Sequence, residues 1–282
     1  MPAHESLHEY YLHQHRNIEN YLELCMIHAE AELVHELRLS IKKIRAFHKL
    51  AEELCPSGMD EHIHIKNRVG RLFRIAGQLR DTQVQIHLLV MFEQQTGLEY
   101  PEFSKWLLKR EKKRIKRFGR KPQHLLSQAT SDTSLKGFGD WLALASDETI
   151  LTGADKVLTG LCSSARELTA GSINERDLHL IRTLTKQVKY ILNIMRHSYP
   201  DFKFTEISVD SLHKIEISAG NWHDNLVRIE LLERCMEKLR TKDDSDMFQY
   251  QKLFNSFKAE LNIAYSETCR IVKNELLPGE NN

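Results

Sequence analysis

Apolar residues return every three or four positions along almost the entire chain, the spacing that puts them on one side of a helix. No stretch alternates for long enough to predict a strand. The first four predicted helices cover residues 7–25, 30–54, 60–95 and a segment opening at Pro101. Pro56-Ser57-Gly58 stops the second and Thr96-Gly97 the third, because proline cannot continue a helix and glycine leaves it easily. Pro101 suits a first helical turn, where its missing N–H costs nothing. Gly119 and Pro122 interrupt the fourth helix. Residues 127–139, rich in Ser, Thr and Gly, read as a linker, and helices over 147–170, 174–197, 205–240 and 247–277 follow. Ser172 with Glu175 three residues later resembles a capping box ahead of the sixth helix. Only 12 Gly and 6 Pro occur in 282 residues, and the predicted fold class is all-α.

Four helices, a linker and four more helices suggest a duplication, and two motifs test it. His35-x2-Arg38-x3-Lys42-x2-Arg45 is matched by His179-x2-Arg182-x3-Lys186-x2-Lys189 at an offset of 144 residues. Downstream, AGQLRDTQV from Ala76 is matched by AGNWHDNLV from Ala219 at an offset of 143. Two motifs in one order at nearly one spacing mark a tandem repeat. The expected architecture is two four-helix bundles, from residues 1–130 and 131–282, packed about a pseudo-twofold axis into one domain.

The balance of 40 Lys/Arg against 39 Asp/Glu, by itself, points to no polyanion partner. Distribution changes the picture: residues 105–121 hold ten Lys/Arg and one acid, Glu111. Positive charge gathered on one segment makes a local electropositive surface on a neutral protein. No apolar run exceeds the five residues of 88–92, too short for a membrane span of about 20. The polar start, MPAHESLHEYYLHQH, lacks the apolar core of a signal peptide. Five widely spaced cysteines without a C-x-x-C motif read as core thiols in a reducing cytoplasm.

At about 100° per residue, His35, Arg38, Lys42 and Arg45 share an arc of about 80°, while Leu37, Ile41 and Ile44 take the opposite, core-facing side. His179, Arg182, Lys186 and Lys189 repeat that face. Cations about 5–6 Å apart can meet successive phosphates of an extended polyanion. A solvated face normally mixes signs, and this one carries almost no acid. Arg110, Arg114 and Arg117 form a second stripe on the fourth helix. Its counterpart in the second half is diluted by glutamates, so a lopsided binding surface is expected. Arg71 and Lys214 are basic in both copies.

Gly77 and Gly220 sit inside predicted helices, where glycine costs about 1 kcal/mol against alanine, and close helix–helix approach is the expected reason. Asp81 and Asp224 follow four residues later and are expected to cap or pair with a neighbouring helix. Histidines such as His13-x-His15 and His62-x-His64 point about 200° apart on a helix, so no metal site is predicted. There is no phosphate-cradling glycine loop and no nucleophile–base pair in the sequence, and catalysis is not expected.

At VHELRLSIKKIR with GQLRDTQV, and again at LHLIRTLTKQVKY with GNWHDNLV, the sequence resembles the CHAD family, the conserved histidine α-helical domain. The resemblance spans essentially the whole chain. It implies two four-helix bundles around a basic central cavity that binds inorganic polyphosphate or another phosphate-rich polyanion, with no cofactor and no chemistry. Carried over residue by residue, it puts His35, Arg38, Lys42, Arg45, His179, Arg182, Lys186 and Lys189 on the cavity wall. Arg71, Lys214, Arg110, Arg114 and Arg117 are added to them, and Gly77, Asp81, Gly220 and Asp224 are given structural roles. Family members are sometimes fused to a triphosphate-processing tunnel domain. A stand-alone protein is expected here, in the cytoplasm and associated with polyphosphate granules. The alternatives are nucleic-acid backbone binding through residues 105–121 and phosphohistidine chemistry at His35 or His179.

Overall fold

The computed structural model describes residues 3–54, 60–119, 142, 145–239 and 247–277, and the side chains of 60–68 lie outside that description. The predicted linker, Pro122 and the boundary at residue 130 fall outside it too. The helices run in the order α1 (Ala3–Ile27), α2 (Ala31–Leu54), α3 (Asp60–Thr96), α4 (Pro101–Phe118), α5 (Asp147–Glu167), α6 (Glu175–Ser198), α7 (Val209–Leu239) and α8 (Met247–Leu276). No strand occurs among the described residues.

Local chemistry sets most of the ends. Gly97 adopts φ 68°, a left-handed geometry that ends α3, and its N–H reaches the Glu93 carbonyl at 2.9 Å. Pro101 occupies the first turn of α4. The Ser146 hydroxyl caps α5 by accepting the Thr149 N–H at 3.2 Å. The capping box before α6 lies two residues later than the Ser172/Glu175 expectation. Asn174 Oδ1 accepts the Asp177 N–H at 3.0 Å, and Asp177 Oδ2 accepts the Asn174 N–H at 3.2 Å. A carboxamide and a short carboxylate do here what a hydroxyl and a glutamate do in the usual pattern. The seventh helix starts at Val209 rather than 205, behind Ser208, whose hydroxyl accepts the Ser211 N–H at 2.9 Å.

Burial ties the two repeats together. Helices α2 and α6 touch each other; α1 packs on both α2 and α6, and α5 packs on both α6 and α2. At the other end α3 touches α7, with α4 against α3 and α8 against α7. One apolar cluster gathers Tyr11 and Leu22 of α1, Leu37, Ile41 and Phe47 of α2, Leu158 of α5 and Ile181 and Ile191 of α6. The other gathers Leu89, Phe103 and Leu107 with Leu232, Leu253 and Phe257. Both clusters draw on both halves of the sequence. Each fully buried Leu, Ile or Phe contributes about 1.5–3 kcal/mol, so contacts between the halves add to the stability of the whole. Cys25, Cys162 and Cys235 are buried free thiols, and Cys269 is half-buried. No described helix is long and apolar enough to cross a membrane.

Candidate functional site

The contact between α2 and α6 brings the two cationic stripes to one place. Arg38, Lys42, Arg182 and Lys186 are half-buried on these helices, and their charges act on one another across the repeat. Burial, then the charges of Lys186, Arg38 and Arg182, drives the Lys42 ammonium down to about 7. Burial and Arg182 bring Lys186 down to about 8, against the pull of Glu216 and Asp224. Burial also lowers Arg38, with Asp81 opposing and Arg182 adding to the shift. Such values arise where like charges are held together out of water.

Carboxylates from α3 and α7 face this cluster. Burial raises Asp81 above its ordinary value although Arg38, Arg114, Arg182 and Arg80 pull it down. Burial raises Asp224 too, while Arg182 lowers it and Asp81 repels it. These aspartates therefore stand among the cations as counter-charges, not as caps. Neither stripe carries its own acid, yet α7 supplies one from outside. Glu216 lies 3.7 Å from Lys186 Nζ and also pairs with Lys189. Burial pushes Glu216 up, but the Lys189 hydrogen bond and the charges of Lys186, Lys189 and Lys42 win and lower it.

The first repeat is arranged differently. Arg38 Nη1 donates to the Phe73 carbonyl at 3.1 Å, and its guanidinium stands 4.4 Å over the Phe73 ring. Arg45 stacks on the same ring at 4.8 Å. Gly77 makes room for this arginine: a β-carbon there would lie 2.4 Å from Arg38 Nη1. At Gly220 a β-carbon would meet nothing within 4 Å. Close helix–helix approach explains neither glycine; the first admits a guanidinium, and the second has no steric reason.

His35 is half-buried and its pKa is lowered by burial, then by Arg80 and Lys42. His179 is exposed, is lowered by burial and then Arg182, and sits 5.9 Å from the His223 ring. His223 falls to about 3 through burial and the charges of Arg182, His179, Lys186 and Arg38, so it is neutral at physiological pH. Arg114 of α4 donates to the Gln78 carbonyl and the Thr82 hydroxyl, and feels Asp81. Burial, then Arg110, brings it down to about 10. Arg110 stands 5.0 Å over Trp106, one helical turn further out, and Arg117 is exposed beside Arg114. Arg71 and Lys214 do not join the cluster. Each lies two residues before Phe73 or Glu216, about 200° round its helix. Arg71 is exposed, and Lys214 pairs with Glu275 at 2.8 Å.

Glu216, His223, Arg80 and Tyr190 are the neighbours that stripe spacing alone does not reveal. Three of them lie on the helices that carry the glycine motif. Phe73, Gly77 and Asp81, like Glu216, Gly220 and Asp224, recur at intervals of four on one helix face, with Arg80 and His223 at its edge. Tyr190 has Ala46 as its counterpart, so the repeat carries no trace of it. Arg182 Nε and Arg110 Nε are buried donors without a hydrogen-bond partner among the described residues. No described group of three or more His, Cys, Asp or Glu is placed to hold a metal ion.

The fold resembles one already solved. The crystal structure of the CHAD domain from the plant Ricinus communis matches with a TM-score of 0.66 at 15% identity, covering 99% of this chain and 92% of that one. No curated protein matches the sequence. The CHAD domain family matches residues 9–233, most of the chain. With the repeated motifs brought onto facing helices and the family pattern running through both repeats, the chain belongs to the CHAD domain family.

Proposed function

We propose that this protein binds inorganic polyphosphate, or a closely related phosphate-rich polyanion, between its two cationic stripes and performs no chemistry on it. One observation carries the reading. Arg38 and Lys42 of the first repeat are held against Arg182 and Lys186 of the second at a cost in repulsion and desolvation that an anion between them relieves. The orphaned Arg182 Nε is a donor waiting for an acceptor, and a phosphate oxygen supplies one. His35, Arg45 and Arg114 flank the same place, and Asp81 and Asp224 offset part of the repulsion among the cations. A cytoplasmic protein that joins polyphosphate granules fits this chemistry.

Nucleic acid fits less well. Single-strand recognition stacks bases on aromatic faces. In the basic segment Phe118 is fully buried, and Trp106 already has Arg110 and Lys238 over its ring and Phe103 stacked on it. Competition tests the reading: long-chain polyphosphate is titrated against labelled RNA and DNA at several salt concentrations. Polyphosphate is expected to displace both, with affinity falling steeply as salt rises. Preferential retention of RNA or DNA overturns it.

A further inference from the structure

A second basic feature lies outside the central cluster. Between α4 and the C-terminal part of α7 runs a cleft of about 490 Å³ whose walls carry Lys105, Lys109, Arg110, Lys113 and Lys238 around the Trp106 indole. Glu102 is the one acid among its described lining residues, and it sits 3.6 Å from Lys105. The surplus of positive charge is therefore large and local. Arg110 Nε is buried there without a hydrogen-bond partner among the described residues, although its guanidinium stacks 5.0 Å over Trp106. Lys238 Nζ stands 6.0 Å over the same ring. Two cations stand over the indole, and with five lining the cleft the ligand class is a phosphate anion.

The cleft is also continuous in charge with the centre. Arg114, which faces Asp81 in the central cluster, is one turn from Arg110, and Lys105 is about one and a half turns further out, about 13 Å along the axis from Arg114. A short oligophosphate cannot reach both places. A long chain can.

Building on the polyphosphate reading, we propose that the α4–α7 cleft is an outer subsite that takes the overhanging end of a phosphate chain whose middle lies on the central cluster. The cleft then makes affinity depend on chain length, through one side of the molecule only. The corresponding helix of the second repeat, α8, places Glu260 and Glu267 among its lysines.

The test is calorimetric titration of tripolyphosphate and of long-chain polyphosphate into wild type and a Lys105→Glu/Lys109→Glu/Lys113→Glu variant, all three positions being exposed. A Lys203→Glu/Arg196→Glu/Arg270→Glu variant, reversing three exposed cations outside the cleft, controls for net charge. The cleft variant is expected to lose about tenfold or more in long-chain affinity relative to the control, with tripolyphosphate binding unchanged. Equal loss in cleft and control variants, or parallel loss of tripolyphosphate, overturns the outer subsite. Wild type that binds neither ligand refutes the polyphosphate reading itself, a result distinct from the other two.

Discussion

Phe73 and Glu216 occupy the same place in the two repeats, 143 residues apart, and give the two stripes different neighbours. In the first repeat a neutral ring carries Arg38 and Arg45 on its face, and the carboxylate that acts on Arg38 is Asp81, two helical turns further on. In the second a carboxylate takes up Lys186 and Lys189 as a phosphate oxygen would. The two motifs share their cations and differ at this neighbouring position. The lopsidedness expected from α4 thus has a second source where α2 meets α6.

Glu216 therefore competes with the ligand. Glu216→Gln is expected to tighten polyphosphate binding about tenfold, about 1.4 kcal/mol, because two lysines no longer hold an internal anion. The same change is expected to destabilise the free protein by about 1–3 kcal/mol, since Lys186 and Lys189 lose their partner. Calorimetry and thermal melts read the two effects. Weaker binding by the glutamine variant contradicts this role.

The two glycines separate on alanine substitution. In Gly220→Ala the new methyl meets open space inside α7, and helix propensity predicts a gain of up to about 1 kcal/mol with unchanged binding. In Gly77→Ala the methyl drives the Arg38 guanidinium off its seat on Phe73. Polyphosphate affinity is expected to fall about tenfold without a matching loss of stability. Equal behaviour of the two variants in melting and binding contradicts the assignment of Gly77.

Lys42 makes binding sensitive to pH. The free ammonium titrates at about 7, and a polyanion beside it restores its proton, so binding at pH 7–8 is expected to take up protons and to weaken as pH rises. Titrations in two buffers of different ionisation enthalpy measure the uptake. Stability runs the other way in the free protein. Unfolded Lys42 keeps its proton up to about 10.5 and folded Lys42 gives it up at about 7, so stability rises with pH through that window. Lys42→Met is expected to be more stable than wild type at pH 7 by about 1 kcal/mol, a gap that closes towards pH 10. A pH-independent gap, with no proton uptake, contradicts the buried-charge description.

Helices and their order were legible because each rests on short-range rules: 3.6-residue periodicity and proline and glycine stops. The exchange of packing partners, with α1 lying on α6 and α5 on α2, was not, because periodicity says which face is apolar and nothing about what covers it. The same gap explains the site residues. His35, Arg38 and Lys42 are readable as a face of one helix, while Glu216 enters from a neighbouring helix and its effect depends on a tertiary contact. Arg71 and Lys214 show the converse: basic in both repeats, yet on the far side of their helices from the cluster.

The most direct test of the central proposal is binding of long-chain polyphosphate by an Arg38→Gln/Arg182→Gln variant, with circular dichroism and a thermal melt to verify folding. Neutralising the two arginines from opposite repeats is expected to cost at least about a hundredfold in affinity, about 2.7 kcal/mol, and to reduce the salt-dependence slope by about two. A folded double variant that binds within twofold of wild type, with the same salt slope, contradicts a ligand held between the two stripes.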